Sequence, residues 1–272
     1  MANEPEVLYR IERGVAWITL NRPDQLNAMT SSMDDALRDS VRRADRDRDC
    51  VVICVTGAGR GFCSGADLGV PTQMNRTAAY EPDPTTLEAF RFAYLRTARK
   101  PVVAAINGAA IGVGLVLSSF CDVRICASGA RLGFTYTRVG LVAEYGLAWW
   151  LPRLIGEGAS RDLLLSGRLV NAPEALRIGL VDQVADEAAF VSHVDAYLAA
   201  IVERCAPRSM ATIKAQLNAA PEESLLKAIG SSHRALQLAR SGDDFIEGKS
   251  AFLEKRPPHF SRLAERMEGD PS

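Results

Sequence analysis

Apolar and polar positions change rhythm several times along the chain, and each change predicts an element. Residues 7–11 and 15–20 alternate apolar with polar around Arg13-Gly14, the pattern of a hairpin with one face on a core. Asn21-Arg22-Pro23-Asp24 closes it. From Thr30, apolar residues recur at helical spacing (Met33, Leu37, Val41) opposite a charged run over 38–49. This predicts a capped amphipathic helix whose charged face is solvated. Residues 50–56 and 102–106 then lose the alternation. They are apolar almost throughout at strand length, as strands covered on both faces are. Each runs into a glycine-rich turn, Gly57-Ala58-Gly59-Arg60-Gly61 and Asn107-Gly108. After the second turn, Gly112-Val113-Gly114 opens an apolar helix. Its glycines let a backbone or a ligand come close, and its unpaired N–H groups and dipole favour an anion.

Further along, residues 87–99 read as helix, 123–126 as a short strand, 131–146 as a crossing segment and 147–155 as helix. Asn171-Ala172-Pro173-Glu174 starts a helix by its capping chemistry, and 181–184 forms a last strand. Strands interleaved with helices predict an α/β fold. Beyond about residue 186 only helices remain, over 187–204, 207–219, 222–240 and 243–254. Their apolar positions are too numerous for a free appendage and need the core or another subunit as cover. The expected division is a core over 1–200 and a helical region over 201–272. No repeat of fixed period is visible. Residues 70–84, with Pro71, Pro82 and Pro84, form a long loop that is either a lid or binding loop, or plain surface.

Composition narrows the function. At 272 residues and 47% hydrophobic, the chain can bury a full core. A net charge of −1 gives no case for binding nucleic acid or an acidic membrane. No leader-like start or spanning apolar run is seen, so a soluble, cytoplasmic protein is expected. The cysteines at 50, 54, 63, 121, 126 and 205 make no C-x-x-C pair and read as buried thiols. His193, His233 and His259 lie far apart, so no metal is expected. The first glycine turn lacks the third glycine of G-x-G-x-x-G, which is Phe62 here, and no G-K-[ST] or G-x-S-x-G follows. Glu144 is the one carboxylate in an apolar stretch over 139–150. It either caps the helix that follows or faces a pocket, with its pKa raised by desolvation.

Several segments taken in order resemble the crotonase (enoyl-CoA hydratase/isomerase) superfamily over nearly the whole chain. They are Val15-Ala16-Trp17-Ile18-Thr19-Leu20-Asn21-Arg22-Pro23-Asp24, Gly61-Phe62-Cys63-Ser64-Gly65-Ala66-Asp67-Leu68, Lys100-Pro101-Val102-Val103-Ala104-Ala105-Ile106-Asn107-Gly108, Gly112-Val113-Gly114 and Gly140-Leu141-Val142. Leu151-Pro152-Arg153-Leu154-Ile155-Gly156 and Ala251-Phe252-Leu253-Glu254-Lys255-Arg256 extend the match. The resemblance implies a spiral of repeated β-β-α units, a C-terminal helical region that trimerises, and an acyl-CoA thioester substrate whose coenzyme A is no separate cofactor. It also implies an oxyanion hole made by the backbone N–H groups of Ala66 and Val113, where Val113 stands at a place usually held by glycine.

For coenzyme A the resemblance implies contacts at Gln25 and Asn27, at Ser64, Ala66, Asp67 and Leu68, and at Phe252 and Lys255 reaching a neighbouring subunit in a homotrimer or homohexamer. Gln25 stands where a lysine is common. The two glutamates of the family's hydratases align with Val116 and Tyr136, neither of which can be a carboxylate base. Glu144 aligns instead with a catalytic Asp of other members, isomerases among them. The expected activity is therefore a double-bond shift in an enoyl-CoA, with Glu144 as acid and base and Tyr136 shaping the acyl end. A hydratase using Glu144 and water, and a silent acyl-CoA-binding protein, are the alternatives.

Overall fold

The chain builds two sheets by alternating between them. The computed structural model describes residues 4–67, 69 and 90–263. Strands β1 (Val7–Glu12) and β2 (Val15–Leu20) form the hairpin expected, pairing Glu12 with Val15 across a turn in which Arg13 and Gly14 both have positive φ. Helix α1 (Ser31–Arg46) follows, and the Thr30 hydroxyl accepts from Met33 N at 3.0 Å to cap it.

From there a unit recurs: β3 (Val52–Gly57) then β4 (Gly61–Cys63); β5 (Val102–Ile106) then β6 (Ala109–Ile111) and α3 (Val113–Phe120); β7 (Val123–Ala127) then β8 (Arg131–Gly133). The first strand of each unit joins one sheet and the second joins another. With β9 (Val170–Asn171) and β10 (Gln183–Ala185) the sheets run β1-β2-β3-β5-β7-β10 and β4-β6-β8-β9. Within them, successive units pair in parallel. The result is a coil of chain that passes back and forth between the two sheets, and its unequal segment lengths explain why no fixed period is visible in the sequence.

The large sheet explains its own apolar strands. One face (Ile18, Leu20, Ile53, Val55, Val102, Ala104, Ile106) packs with Met33, Leu37 and Val41 of α1 and with the small sheet. The other face (Val52, Cys54, Val103, Ala105, Ile125) is covered by Phe190, Val194 and Leu198 of helix α6 (Phe190–Arg204). Helices α2 (Tyr94–Thr97), α4 (Leu147–Ser166, broken at Gly156) and α5 (Ala172–Arg177) precede α6 in the chain. Asn171 caps α5 through Glu174 N, as expected. Helices α7 (Pro207–Ala219), α8 (Leu225–Arg240) and α9 (Asp243–Glu254) complete the described chain. The boundary expected at residue 200 falls within α6.

Three expectations are corrected. Of the helix expected over 87–99, the described residues 90–99 are helical only at Tyr94–Thr97, after a turn in which Phe92 has φ 63°; residues 87–89 and the loop 70–84 lie outside the described residues. The last strand begins at Gln183 rather than 181, because Val181 N and Leu180 N are taken by Ala175 O at the end of α5. The charged run over 38–49 is not all solvated. Asp45 is buried and accepts from Lys100 N at 3.1 Å, while the buried Lys100 ammonium donates to Ala44 O at 2.6 Å. No helix among the described residues is long and apolar enough to cross a membrane.

Candidate active site

The two glycine turns lie against one another because β4 and β6 pair, Gly61 with Ala109 and Cys63 with Ala110. The contact has no room for side chains: a Cβ on Gly108 would overlap Arg60 O, and one on Gly114 would overlap Cys63 O. Two asparagines hold the first turn. Asn27 Nδ2 donates to Ala58 O (3.0 Å) and Gly61 O (2.8 Å), and Asn107 Nδ2 donates to Gly57 O (3.0 Å) and Gly59 O (2.9 Å). Gly65 and Gly112, both at positive φ, then bring the ends of the two turns side by side; a Cβ on Gly112 would lie 3.8 Å from Gly65 Cα.

Two backbone donors stand at this junction. Ala66 makes an isolated parallel bridge with Met29, in which Met29 N donates to Gly65 O (2.8 Å) and Asp67 N donates to Met29 O (3.0 Å). That pattern turns the Ala66 N–H to the opposite side. Val113 is the first residue of α3, so its N–H has no acceptor within the helix and lies at the positive end of the dipole. Arg22 steadies the Ala66 side. Its guanidinium is 2.8 Å from Asp67 Oδ2 and 3.2 Å from Glu6, and it also donates to Ala28 O.

Beyond β8 the chain reaches a 3-10 turn, Tyr136–Val139, close to the same junction because Gly112 N donates to Gly133 O at 2.9 Å. Tyr136 is buried, and its hydroxyl has no hydrogen-bond partner among the described residues. Glu144 follows in the connection to α4. It does not cap that helix: Gly146 is the N-cap, in left-handed conformation, and no side chain caps it. The capping alternative is thereby removed. The Glu144 carboxylate is half-buried, with no hydrogen bond or ion pair among the described residues. Burial raises its pKa above the usual carboxylate range, and Arg91 opposes this in part. The Tyr136 phenol is raised as well, by burial first and then by the Glu144 charge. A half-buried carboxylate can take a proton, and free backbone donors can hold negative charge that develops on a substrate.

The remaining expected residues separate into two groups. Asn27 has no exposed surface and its side-chain amide is engaged in the turn, with Oδ1 accepting from Arg22 N at 2.8 Å. Asp67 pairs with Arg22 and accepts from Gly69 N at 2.9 Å, so its carboxylate also serves the loop. Ser64 donates to Gln25 O at 3.2 Å, and the Gln25 side chain is exposed beside it. Leu68 lies outside the described residues. Phe252 on α9 and Lys255 at its left-handed C-cap are exposed, and α9 packs on α8, with no bond to the turns within the described residues of one chain. Val116 is wholly buried. Arg91, whose charge acts on Glu144, and its partners Tyr145 and Asp34 carried no signal in the sequence: Arg91 sat inside a stretch read as helix, and no motif includes the other two.

The cysteines are free thiols, and burial raises those of Cys50 and Cys63 to about 11. Among the described residues no three potential metal ligands come together.

A solved structure of a probable enoyl-CoA hydratase/isomerase from Mycobacterium abscessus matches with a TM-score of 0.85 at 30% identity, over 95% of this chain and 99% of that one. The architecture is therefore the α/β fold of the crotonase superfamily. Within it, the chain belongs to the enoyl-CoA hydratase/isomerase family, whose model matches residues 10–263, and it is an enzyme of that family. A probable enoyl-CoA hydratase of Rhodobacter capsulatus is 36% identical over 94% of this chain and 97% of its own length. The 1,2-epoxyphenylacetyl-CoA isomerase of Escherichia coli is 31% identical over 94% and 98%.

Proposed function

We propose that the enzyme shifts the double bond of an enoyl-CoA thioester, with Glu144 carrying the proton. The thioester oxygen accepts hydrogen bonds from Ala66 N–H and Val113 N–H. Glu144 removes a proton from C2 of a 3-enoyl-CoA, the electron pair passes into the thioester as an enolate, and the same carboxyl returns the proton at C4 to give the 2-enoyl-CoA. Atoms balance without water or a second base. The two donors are asked for roughly 3 kcal/mol or more each of stabilisation as the oxyanion forms. Tyr136 bounds the acyl end, and the coenzyme A portion is met by Gln25, by Ser64 and the loop at Ala66, and by Phe252 and Lys255 of a neighbouring copy in a homotrimer or homohexamer. Coenzyme A enters as part of the substrate and no separate cofactor is invoked.

The observation that carries this reading is Glu144 itself: a half-buried carboxylate with no capping role and a raised pKa. Val116 and Tyr136, where the family's hydratases carry glutamates, offer no carboxylate. Glu144→Gln preserves shape but cannot accept a proton. Turnover of 3-enoyl-CoA should fall by roughly 10²- to 10⁴-fold with thioester binding little changed; a parent rate would remove Glu144 as the base. The Rhodobacter relative's name favours a second reading, addition of water to a 2-enoyl-CoA with Glu144 as the only carboxylate. Rates for 3-enoyl-CoA isomerisation and 2-enoyl-CoA hydration, measured side by side, separate the two.

A further inference from the structure

The Glu144 carboxylate makes no hydrogen bond or ion pair among the described residues, so its position depends on its backbone, where Glu144 O accepts from Leu147 N at 3.0 Å. That backbone is unusual. Tyr145 has φ 56° and Gly146 has φ 70°, two consecutive left-handed residues, and facing them Phe92 has φ 63°. A left-handed conformation costs a residue with a side chain about 1–2 kcal/mol and persists only where its surroundings determine it.

What determines it here is Arg91. Its Nη1 donates to the Tyr145 hydroxyl at 2.9 Å, and its guanidinium lies over both the Tyr145 ring (5.4 Å) and the Phe92 ring (4.9 Å). The two rings meet edge to face at 5.7 Å and 73°. Arg91 is in turn anchored to α1, with Nε 2.8 Å from Asp34 Oδ2. The geometry points to Arg91, anchored by Asp34 and bonded to Tyr145, as a positioning residue that sets where the Glu144 carboxylate stands. The inference rests on the reading of Glu144 as the proton carrier.

Charge adds a second consequence. Glu144 is faced by Arg91 and by the Tyr136 and Tyr145 phenols; Asp34 stands behind Arg91, with Asp35 and Arg38 acting on it from α1. Burial raises the Glu144 pKa and Arg91 is the cation that lowers it. Only ionised Glu144 can accept the C2 proton, so activity is lost as pH falls through its pKa. Without Arg91 that pKa rises further, and the acid limb of kcat/KM moves to higher pH.

The test measures kcat, kcat/KM against pH, and thioester binding for Arg91→Met, Arg91→Lys, Tyr145→Phe and Glu144→Gln. Arg91→Met should move the acid limb upward and lower kcat by roughly 10- to 100-fold, with binding within a few-fold of the parent. Arg91→Lys should keep the limb in place, because the charge remains, yet lower kcat, because an ammonium cannot span Asp34 and Tyr145 as the fork does. Tyr145→Phe should lower kcat without moving the limb. If Arg91→Met does not fold, Arg91→Lys and Tyr145→Phe decide the matter. Parent kcat and an unmoved acid limb in the folded variants would overturn the inference. If Glu144→Gln also turns over at the parent rate, the proposed function itself falls; if Glu144→Gln is inactive, only the role of Arg91 does.

Discussion

Gly114 and Gly158 both lie inside helices, yet the same substitution should have opposite signs at the two. A methyl at Gly114 meets Cys63 O and Cys63 Cβ, backbone and stem that cannot move without shifting β4 and the Ala66 turn. Gly114→Ala should therefore lose about 1–3 kcal/mol of stability, and turnover with it. A methyl at Gly158 meets nothing within 4 Å, and Gly158→Ala should gain up to about 1 kcal/mol from helix propensity. Urea midpoints of the two variants check both signs. At this scale the sequence told much about the backbone and little about its neighbours. Glycines, the Asn107 turn and the isolated Glu144 mark themselves by residue type. Arg91, Tyr145 and Asp34 matter through a contact between three distant segments, and no local pattern encodes such a contact. Asp67, inside a matching motif, and Asn27, just beyond one, show the converse: both were expected at the coenzyme A site, but their side chains hold the loops.

Among the elements, α7 is tied to the core chiefly by Lys214, beside a second bond from Asn218 Nδ2 to Arg96 O (2.6 Å). Lys214 is buried and its ammonium donates to Leu95 O (2.8 Å), Lys100 O (3.1 Å) and Asp122 Oδ2 (2.7 Å), while Asp122 also accepts from Val102 N (2.7 Å). One lysine thus joins α7 to Leu95 within α2, to the segment that enters β5 and to the turn after α3. Lys214→Met fills the volume but leaves two carbonyls and a carboxylate short of a donor, and should cost about 3 kcal/mol or more in chemical denaturation. An unchanged midpoint would mean that water replaces the ammonium fully. The bounds of α7 and α9 were legible from punctuation by Pro207 and Gly242, and the inner strands from their unbroken apolar runs. The short helix at Tyr94–Thr97 was not, because Phe92 leaves the right-handed region there through packing with Tyr145, which overrides local propensity.

For the whole molecule, the C-terminal helices leave a broad apolar surface uncovered. No residue of α8 is buried, and Leu226 and Phe252 are 82% and 83% exposed, near Leu225, Leu238 and Leu253 in the same state. Exposed apolar area of this extent calls for a partner surface, which the proposed homotrimer or dimer of trimers would supply. Light scattering at micromolar concentration should give three or six times the chain mass; a monomer would defeat the expectation. The coil of paired strands escaped the sequence reading as a repeat but not as a resemblance, since an ordered set of motifs survives the unequal spacing that hides a period. The donors proposed to hold the oxyanion are main-chain atoms, and this has a consequence for how such a protein diverges. Any residue but proline at position 66 or 113 carries the same N–H. Random substitution therefore rarely removes the charge-stabilising half of the site, while the proton-carrying half depends on a few side chains and can migrate. A chain built this way can lose the carboxylates at positions 116 and 136, keep one at position 144, and pass from one reaction to another without its scaffold ever ceasing to favour an enolate.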